Sequence, residues 1–497
     1  MQSPKKWLIL AIVSSALFLI VIDMTVLYTA LPTLTHDLHA TASEKLWIVN
    51  IYALVASGLL LGTGTLGDKL GHKPLFISGL VVFGAASLFA AYSPTPSLLI
   101  AARALLAVGA AMMMPATLSI IRLTFTDERE RALAIGIWAA VASGGAAFGP
   151  VMGGILLEYF WWGSVFLINV PVVLLALIMG ITVIPHRPGN ASHSWDFIGS
   201  LLIMVGLIGI TYAIKELGKR VPSYEDALIA LLIGVAFITL FVRRQRNSKH
   251  PLVDFSLFRL PPFSAAVAAA IVAAAALIGM ELAFTQRLQL VVGLSPLQAG
   301  LFILPLSLAS FISGPLTGKI LPRVNSGTML AAGLLISGLG MGSYLLLHNA
   351  PTIIQIISLT VIGAGVGSTM TAASSTIMQV APASKAGMAA SIEEVSYELG
   401  GATLMGSLLS FAYSATFMLP AGFAAPDTAY DSLDEALIFA ESLPENMRQV
   451  LTTQAHSAFD SGFSIVLAAA TLILLLTAAF VWTTRHNKQH RHQAADV

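Results

Sequence analysis

The chain has 497 residues, 56% of them hydrophobic and 10% charged, with a mean hydropathy of +0.83 and a formal net charge of +1. Soluble domains carry about 25% charged residues, so this composition excludes a water-soluble globular protein and leaves the bilayer as the solvent. The absence of cysteine fits outer loops that need no disulfide.

A membrane-spanning helix needs roughly 20 apolar residues. Stretches of that kind run over 7–31, 46–66, 75–92, 98–121, 132–157, 164–184, 197–214, 226–242, 263–287, 299–318, 328–347, 352–378, 387–417 and 462–484. They predict an all-α integral membrane protein with 14 transmembrane helices. The first stretch lacks a small-residue cleavage site and reads as a retained helix rather than a signal peptide. With both termini cytoplasmic, Lys and Arg number 19 on the cytoplasmic side, six on the opposite side and one inside the membrane, as the positive-inside rule requires.

In chain order, helix 1 carries Asp23 and helix 2 carries Asn50 and Tyr52. After helix 2 comes Gly64-Thr65-Leu66-Gly67-Asp68-Lys69-Leu70-Gly71-His72-Lys73, echoed after helix 10 by Gly314-Pro315-Leu316-Thr317-Gly318-Lys319. Helix 4 carries Arg103. Helix 5 holds Trp138 and a ladder of Gly145, Gly149, Pro150, Gly153 and Gly154, in which missing side chains admit another helix and the proline removes a backbone hydrogen bond. Gly144-Gly145-Ala146 in helix 5 is matched by Gly400-Gly401-Ala402 in helix 13. Helices 1–6 and 9–14 therefore read as two copies of one unit, the usual plan of a secondary transporter. Helices 7 and 8 are an inserted pair with no ionisable residue in their central turns. The domains expected are 1–190, an N-terminal six-helix bundle; 191–250, the insertion; and 251–497, a C-terminal six-helix bundle. Within the last, about 419–460 forms an outer segment with seven acids against one base, Arg448. Ser432-x-x-Glu435 and Ser442-x-Pro444-Glu445 both read as helix starts, so a short outer helical hairpin is predicted there. A solvated loop is the alternative.

An ionisable side chain at mid-bilayer costs roughly 2.5–3.5 kcal/mol on insertion scales, so each needs a partner or a task. Those expected there are Asp23, Glu281, Glu393, Glu394, Glu398 and Arg103. The surplus of acids matters because a carboxylate can neutralise itself by taking a proton, which lets it exchange a proton for a cation. Asp23 and Arg103 fall at comparable depth, within reach of each other if helices 1 and 4 are neighbours, and a structural ion pair is one reading of them. Glu394 and Glu398, at i and i+4, share a face of helix 13 and are the leading candidates for proton carriage and cation attraction. Glu281 reads either as a ligand or as a polar group satisfied by the nearby Gln286 and Arg287. Asn50, Tyr52, Trp138, Tyr28 and Tyr397 are candidates for lining a site for flat, greasy cations, with ordinary packing the competing reading.

Together these residues resemble the major facilitator superfamily, and within it the 14-helix drug:proton antiporters that include exporters of quaternary ammonium compounds and methyl viologen. Gly64 to Lys73 looks like the family's loop motif between helices 2 and 3, which implies that Asp68 caps a helix end and bonds across the cytoplasmic gate. Gly145 to Gly154 matches the antiporter motif of helix 5. Ile22-Asp23-Met24-Thr25 and Phe166-Leu167-Ile168-Asn169-Val170-Pro171 resemble motifs of the 14-helix branch. Arg103 matches an arginine that the family associates with proton transfer, and Glu393, Glu394 and Glu398 resemble the acidic cluster of organic-cation exporters. Asn50 stands where some relatives place an acid.

The resemblance and the buried acids imply a proton-coupled exporter of lipophilic cationic antiseptics, dyes, quaternary ammonium compounds, viologens and biguanides. Asp23, Arg103, Glu393, Glu394 and Glu398 are expected to couple to protons, and Asp23, Glu394, Glu398, Glu281, Asn50, Tyr52, Trp138 and Tyr397 to meet substrate. The expected location is the inner (cytoplasmic) membrane, as a multi-pass monomer among lipids, driven by the proton gradient with no cofactor, metal or nucleic acid. A same-fold carrier of a metabolite or nutrient is the nearest alternative; a passive channel or sensor is another. No Gly-x-Ser-x-Gly, HExxH or phosphate loop points to an enzyme.

Overall fold

A computed structural model describes residues 3–40, 42–189, 195–217, 222–248, 251–398, 404–420 and 425–493. Among these residues the chain is all helical. Among the described residues, eleven helices are long and apolar enough to cross a membrane. The other three expected crossings fall on α5, on a segment broken by π turns, and on a pair of shorter helices.

The first group comprises α1 (Ser3–Asp37), α2 (Ala42–Leu70), α3 (His72–Ala91), α4 (Pro96–Thr124), α5 (Glu128–Tyr159), and the short α6 (Ser164–Leu167) leading into α7 (Asn169–Val183). Next come α8 (Phe197–Leu217) and α9 (Tyr224–Arg246), which pack on each other, with α8 also lying against α2. The last group comprises α10 (Pro261–Ala274), α11 (Met280–Gln286), α12 (Pro296–Ile320), α13 (Ser326–Leu347), α14 (Thr352–Val380), α15 (Ala386–Glu398), α16 (Leu404–Thr416), α17 (Asp427–Asp431), α18 (Leu433–Glu441) and α19 (Glu445–Gln493). The two groups meet chiefly where α5 lies on α12 and where α15 lies on α2 and α4.

Glycine sets the closest of these approaches. A Cβ on Gly145, Gly149 or Gly153 would lie 3.1 Å from Val21 Cβ, 1.8 Å from Thr25 Oγ1 or 3.1 Å from Thr29 Cβ, respectively. The partners keep one offset, 124 residues, which is also that of the ion pair between Lys6 and Glu130. Hence α1 and α5 run side by side in register, and the ladder is the strip that admits α1. Gly154 lies outside this contact, 4.0 Å from Leu297 Cβ. The helix continues unbroken through Pro150; the side chains of Pro150 and Tyr28 lie outside the described residues. Between α5 and α12 the contact is backbone to backbone: a Cβ on Gly136 would meet Gly314 O at 2.6 Å, one on Gly314 would meet Gly136 O at 2.7 Å, and one on Gly318 would meet Ala132 O at 2.5 Å.

Three predicted elements need separate comment. The ninth stretch continues to Val291 and contains two π turns, Ala275–Gly279 and Arg287–Val291, on either side of α11. The thirteenth is described as two pieces, α15 and α16; Gly400-Gly401-Ala402 falls outside the described residues. The outer segment forms helices at both predicted starts, α18 and α19, and only the part played by Ser442 differs. Ser432 caps α18 by accepting from Glu435 N at 3.3 Å, but Ser442 closes that helix, its hydroxyl donating to Phe439 O at 2.7 Å. The last helix starts at Glu445 rather than 462, and runs 49 residues without interruption. That start is the one read from Ser442-x-Pro444-Glu445; its continuity with the membrane stretch from 462 was hidden because the intervening turns are apolar on only one face, Leu451, Ala455 and Ala458 being buried at helical spacing.

Candidate functional site

Asp23 is placed by α1 in the middle of the first helical group, and its residue is 2% exposed. Both carboxylate oxygens are occupied. Arg103 Nη1 from α4 donates to Oδ2 at 2.8 Å, and Asn169 Nδ2, at the first turn of α7, donates to Oδ1 at 3.1 Å. The same amide lies 3.2 Å from Ser87 Oγ of α3, Arg103 Nε donates to Ile48 O at 3.3 Å, and the guanidinium sits 4.8 Å from the centre of the Tyr52 ring. Five helices thus converge on one charge pair, and removing either partner would leave the other buried and uncompensated. The depth matching of Asp23 with Arg103 is met by direct contact. Asn169 and Ser87 are additions that sequence reasoning missed; Asn169 stood in a quoted motif without a role, and the signal was an amide between apolar residues.

The acids of α15 have a different surrounding. Glu393 and Glu394 are 0% and 1% exposed, and Glu398, one turn on, is half-buried. Tyr397 donates its hydroxyl to Glu393 Oε1 at 2.6 Å, the i, i+4 neighbour on the same helix. Glu393 Oε2 and Glu394 Oε1 have no hydrogen-bond partner among the described residues, and neither has the hydroxyl of Tyr52. Tyr52 lies within electrostatic range of Asp23, Arg103 and Glu398, and Glu394 within range of Glu393 and Glu398. Tyr52 thus stacks on Arg103 of the first group and lies within electrostatic range of Glu398 of the second.

The remaining candidates sort by their neighbours. Glu281 follows a π turn at the start of α11 and is half-buried. Arg287 does not answer it, because its Nε donates to Asp460 Oδ1 of α19 at 2.7 Å and its guanidinium lies 5.4 Å from the Phe463 ring centre. Asn50 is half-buried on α2, two residues before Tyr52. Trp138 is 1% exposed and donates its indole N–H to Thr117 Oγ1 at 3.0 Å, holding α5 to α4.

The loop motif after α2 forms one end of the molecule. A helix start leaves its first amides without intrahelical partners, and at α15 two of them are taken by Asp68: Oδ1 accepts from Gly387 N at 3.0 Å and Oδ2 from Met388 N at 3.2 Å. This fit needs α2 and α15 to touch, and a Cβ on Gly64 would lie 1.8 Å from Ser391 Oγ and 2.3 Å from Gly387 O. Gly71 holds φ at +97°, a conformation that favours glycine, and turns the chain into α3. A Cβ on Gly67 would press on His72 Nδ1 at 2.7 Å, while His72 Nε2 is 3.3 Å from Asp68 Oδ1. Lys73 Nζ donates to Ile181 O and Ile184 O at 2.7 and 2.6 Å, at the end of α7. Arg122 Nη2 donates to Ala381 O at 2.5 Å, and Gln379 Nε2 bonds the carboxylate of Glu128, adding two more links between the groups at this end. A cavity of about 240 Å³ opens there, lined in part by Asp68, His72, Lys73, Arg187 and Ser384.

The model of the Major Facilitator Superfamily matches residues 13–405. The chain is 41% identical over 495 residues to the methyl viologen resistance protein SmvA of Salmonella typhimurium, covering 98% of this chain and all of that protein. It is 38% identical over 483 residues to the multidrug efflux pump LfrA of Mycolicibacterium smegmatis, covering 96% of each. Among solved structures, the human organic anion transporter MFSD10 (TETRAN) superposes with a TM-score of 0.60 over 93% of this chain and 99% of its own, at 13% identity, a likeness of fold alone.

Proposed function

The chain belongs to the major facilitator superfamily, a multi-pass membrane transporter by family, and from that premise we propose that it is a proton-coupled antiporter exporting lipophilic cations such as quaternary ammonium antiseptics, dyes, viologens and biguanides. The names borne by its relatives, methyl viologen resistance protein and multidrug efflux pump, support drug efflux. The observation that carries the cationic substrate and the proton is Glu394, a buried carboxyl group with an oxygen that has no hydrogen-bond partner among the described residues, within electrostatic range of Glu393 and Glu398. Such a group is neutral with a proton or paired with a cation, and is poorly served by neither.

In this reading the protein crosses the inner membrane 14 times as a monomer, with both termini and the Asp68 end in the cytoplasm. Two six-helix bundles flank the α8–α9 insertion. With the Asp68 end closed, the α15 acids communicate with the outer side, where a proton displaces the bound cation. Opening at Asp68 then exposes them to the cytoplasm, where the proton leaves and the next cation enters. Asp23, held by Arg103 and Asn169, is the second titrating group, with Tyr52 between the two. Glu281, Asn50 and Tyr397 meet the substrate, and Trp138 supports that wall from behind. The proton gradient is the only energy source, and no cofactor takes part.

The test is cation-dependent proton flux. Energised inverted vesicles containing the protein are given a quaternary ammonium dye, and dissipation of the pH gradient is followed. Dissipation that depends on the cation and vanishes in Glu394→Gln is the expected result. No response to any of several lipophilic cations, from protein shown to be folded, would remove the proposal.

A further inference from the structure

We infer that the inserted α8–α9 pair is a brace for the gate: through the linker 251–256 it holds the first turn of α15 where Asp68 grips it, with Asp254 as the positioning residue. The inference rests on the alternating closure proposed above. Its starting point is that residues 385–388 are held by two carboxylates. Asp68, from α2, takes the amides of Gly387 and Met388. Asp254, from the linker, accepts from Lys385 Nζ at 2.6 Å, and its own N–H donates to Met388 Sδ at 3.3 Å. Met388 is therefore touched by both, through its amide on one side and its sulfur on the other.

Asp254 is itself fixed in place. Its Oδ1 accepts from Ser256 N at 2.9 Å, and the two residues before it, Leu252 and Val253, are 1% and 7% exposed. Leu252 N donates to Gln245 Oε1 at 2.6 Å; Gln245 is 2% exposed, and its Nε2 donates to Asp196 Oδ2 at 2.9 Å. Asp196 closes the base of the pair, accepting from Gly199 N at the start of α8 and from Arg244 Nε near the end of α9, each at 2.9 Å. Burial pushes the carboxyl of Asp196 up, but the hydrogen bonds from Arg244, Gly199 and Gln245 outweigh it and hold the group below its ordinary value. Hydrogen bonds from the foot of the insertion to Leu252, two buried residues of backbone, and the bonds of Asp254 thus connect the insertion to the first turn of α15.

The other side of the insertion rests on the helix that carries Asp68. A Cβ on Gly58 of α2 would overlap Met204, and one on Gly62 would lie 2.2 Å from Ser200 Oγ, so α8 is seated in a groove of α2. The pair spans the gate, with α2 under one side and α15 tied to the other. Opening at Asp68 requires α15 to leave α2, which strains this tie. Its presence therefore favours the closed arrangement.

The chain contains no cysteine, so Ser391→Cys supplies a single reporter at a residue that is 0% exposed and packed on Gly64. Inverted vesicles are treated with a membrane-impermeant maleimide, and the labelling rate reads opening at the Asp68 end. Asp254→Asn and Lys385→Met are each expected to raise the rate about fivefold, the shift that follows when about 1 kcal/mol is lost from one of two states. Asp254→Lys combined with Lys385→Asp should return the rate to that of the parent, while Asp254→Lys alone should not. Unchanged rates in both single variants overturn the inference, as does a double variant that labels as fast as the singles. Labelling needs neither drug nor proton gradient. A chain that exported no cation would leave this result standing, whereas a normal exporter with unaltered labelling would sink the brace alone.

Discussion

Asp23 and Glu394 are both carboxyl groups buried to within 2% exposure, and the fold treats them in opposite ways. Asp23 receives a guanidinium and an amide, one on each oxygen, from helices that all belong to the first half. Glu394 has two further acids for neighbours and an oxygen without a donor, at the seam between the halves. The first arrangement is complete as it stands. The second has an oxygen open to a proton or a cation, and in the proposed cycle that difference sets the group which meets the cargo apart from the group held within one half.

The largest effect expected is from breaking the complete arrangement. Arg103→Met leaves Asp23 without its cation and should destabilise the protein by about 3–5 kcal/mol, read as a lowered unfolding temperature in detergent. A variant as stable as the parent would mean that the pair is not what holds the first half together. Next comes Gly149→Leu, whose first added carbon would sit 1.8 Å from Thr25 Oγ1, two residues from Asp23. Overpacking of this kind costs about 1–3 kcal/mol, and transport should stop while the purified protein still binds a fluorescent cation. Normal transport would reduce the ladder to inert packing.

The same comparison predicts the opposite for the second half. Glu394→Gln removes no ion pair or satisfied hydrogen bond, so stability should stay within about 1 kcal/mol of the parent while export of cations is lost. Loss of folding in that variant would show that the acid is structural after all. The smallest effect concerns pH. Burial pushes the Asp254 carboxyl up, but hydrogen bonds from Lys385 and Ser256 and the charge of Lys385 overcome this and hold it at about 2, below its ordinary 3.8. A depressed acid stabilises the fold above its unfolded value and loses that contribution as pH falls through its folded value. The brace should therefore be insensitive to pH above about 4 and weaken only between there and about 2. Gate labelling that changed with pH near neutrality in the parent, and not in Asp254→Asn, would contradict this assignment.

The long apolar runs made most helices legible, because a helix in lipid must satisfy its own backbone and announces itself by length. The Asp23–Arg103 contact was also within reach, since counting from helix ends at a fixed rise gives depth. What escaped depended on other parts of the chain. Asn169 earns its role only because α7 is packed beside α1 and α3, and nothing in its own neighbourhood reports that. The start of α19 at Glu445 was legible in Ser442-x-Pro444-Glu445, but the polar turns between it and residue 462 concealed that the two form one helix until α18 is laid on its apolar face. Asp196, Gln245 and Asp254 lie just outside the apolar stretches, and their connection spans a linker with no periodicity to read. Even the π turns flanking α11 leave the apolar pattern of that stretch intact, so the pattern could not disclose them.

The facing glycines of α5 and α12 carry a consequence for motion. Where peptide groups lie directly on peptide groups, no side chains interlock, so one surface can roll over the other without any rotamer having to change. Side chains do meet farther along the same two helices, where a Cβ on Gly144 would lie 3.1 Å from the Phe311 ring. In the proposed cycle the glycine stretch is then the axle, and the polar contacts around Asp68, Arg122 and Lys385 at one rim are places where its poise can be retuned without disturbing that axle.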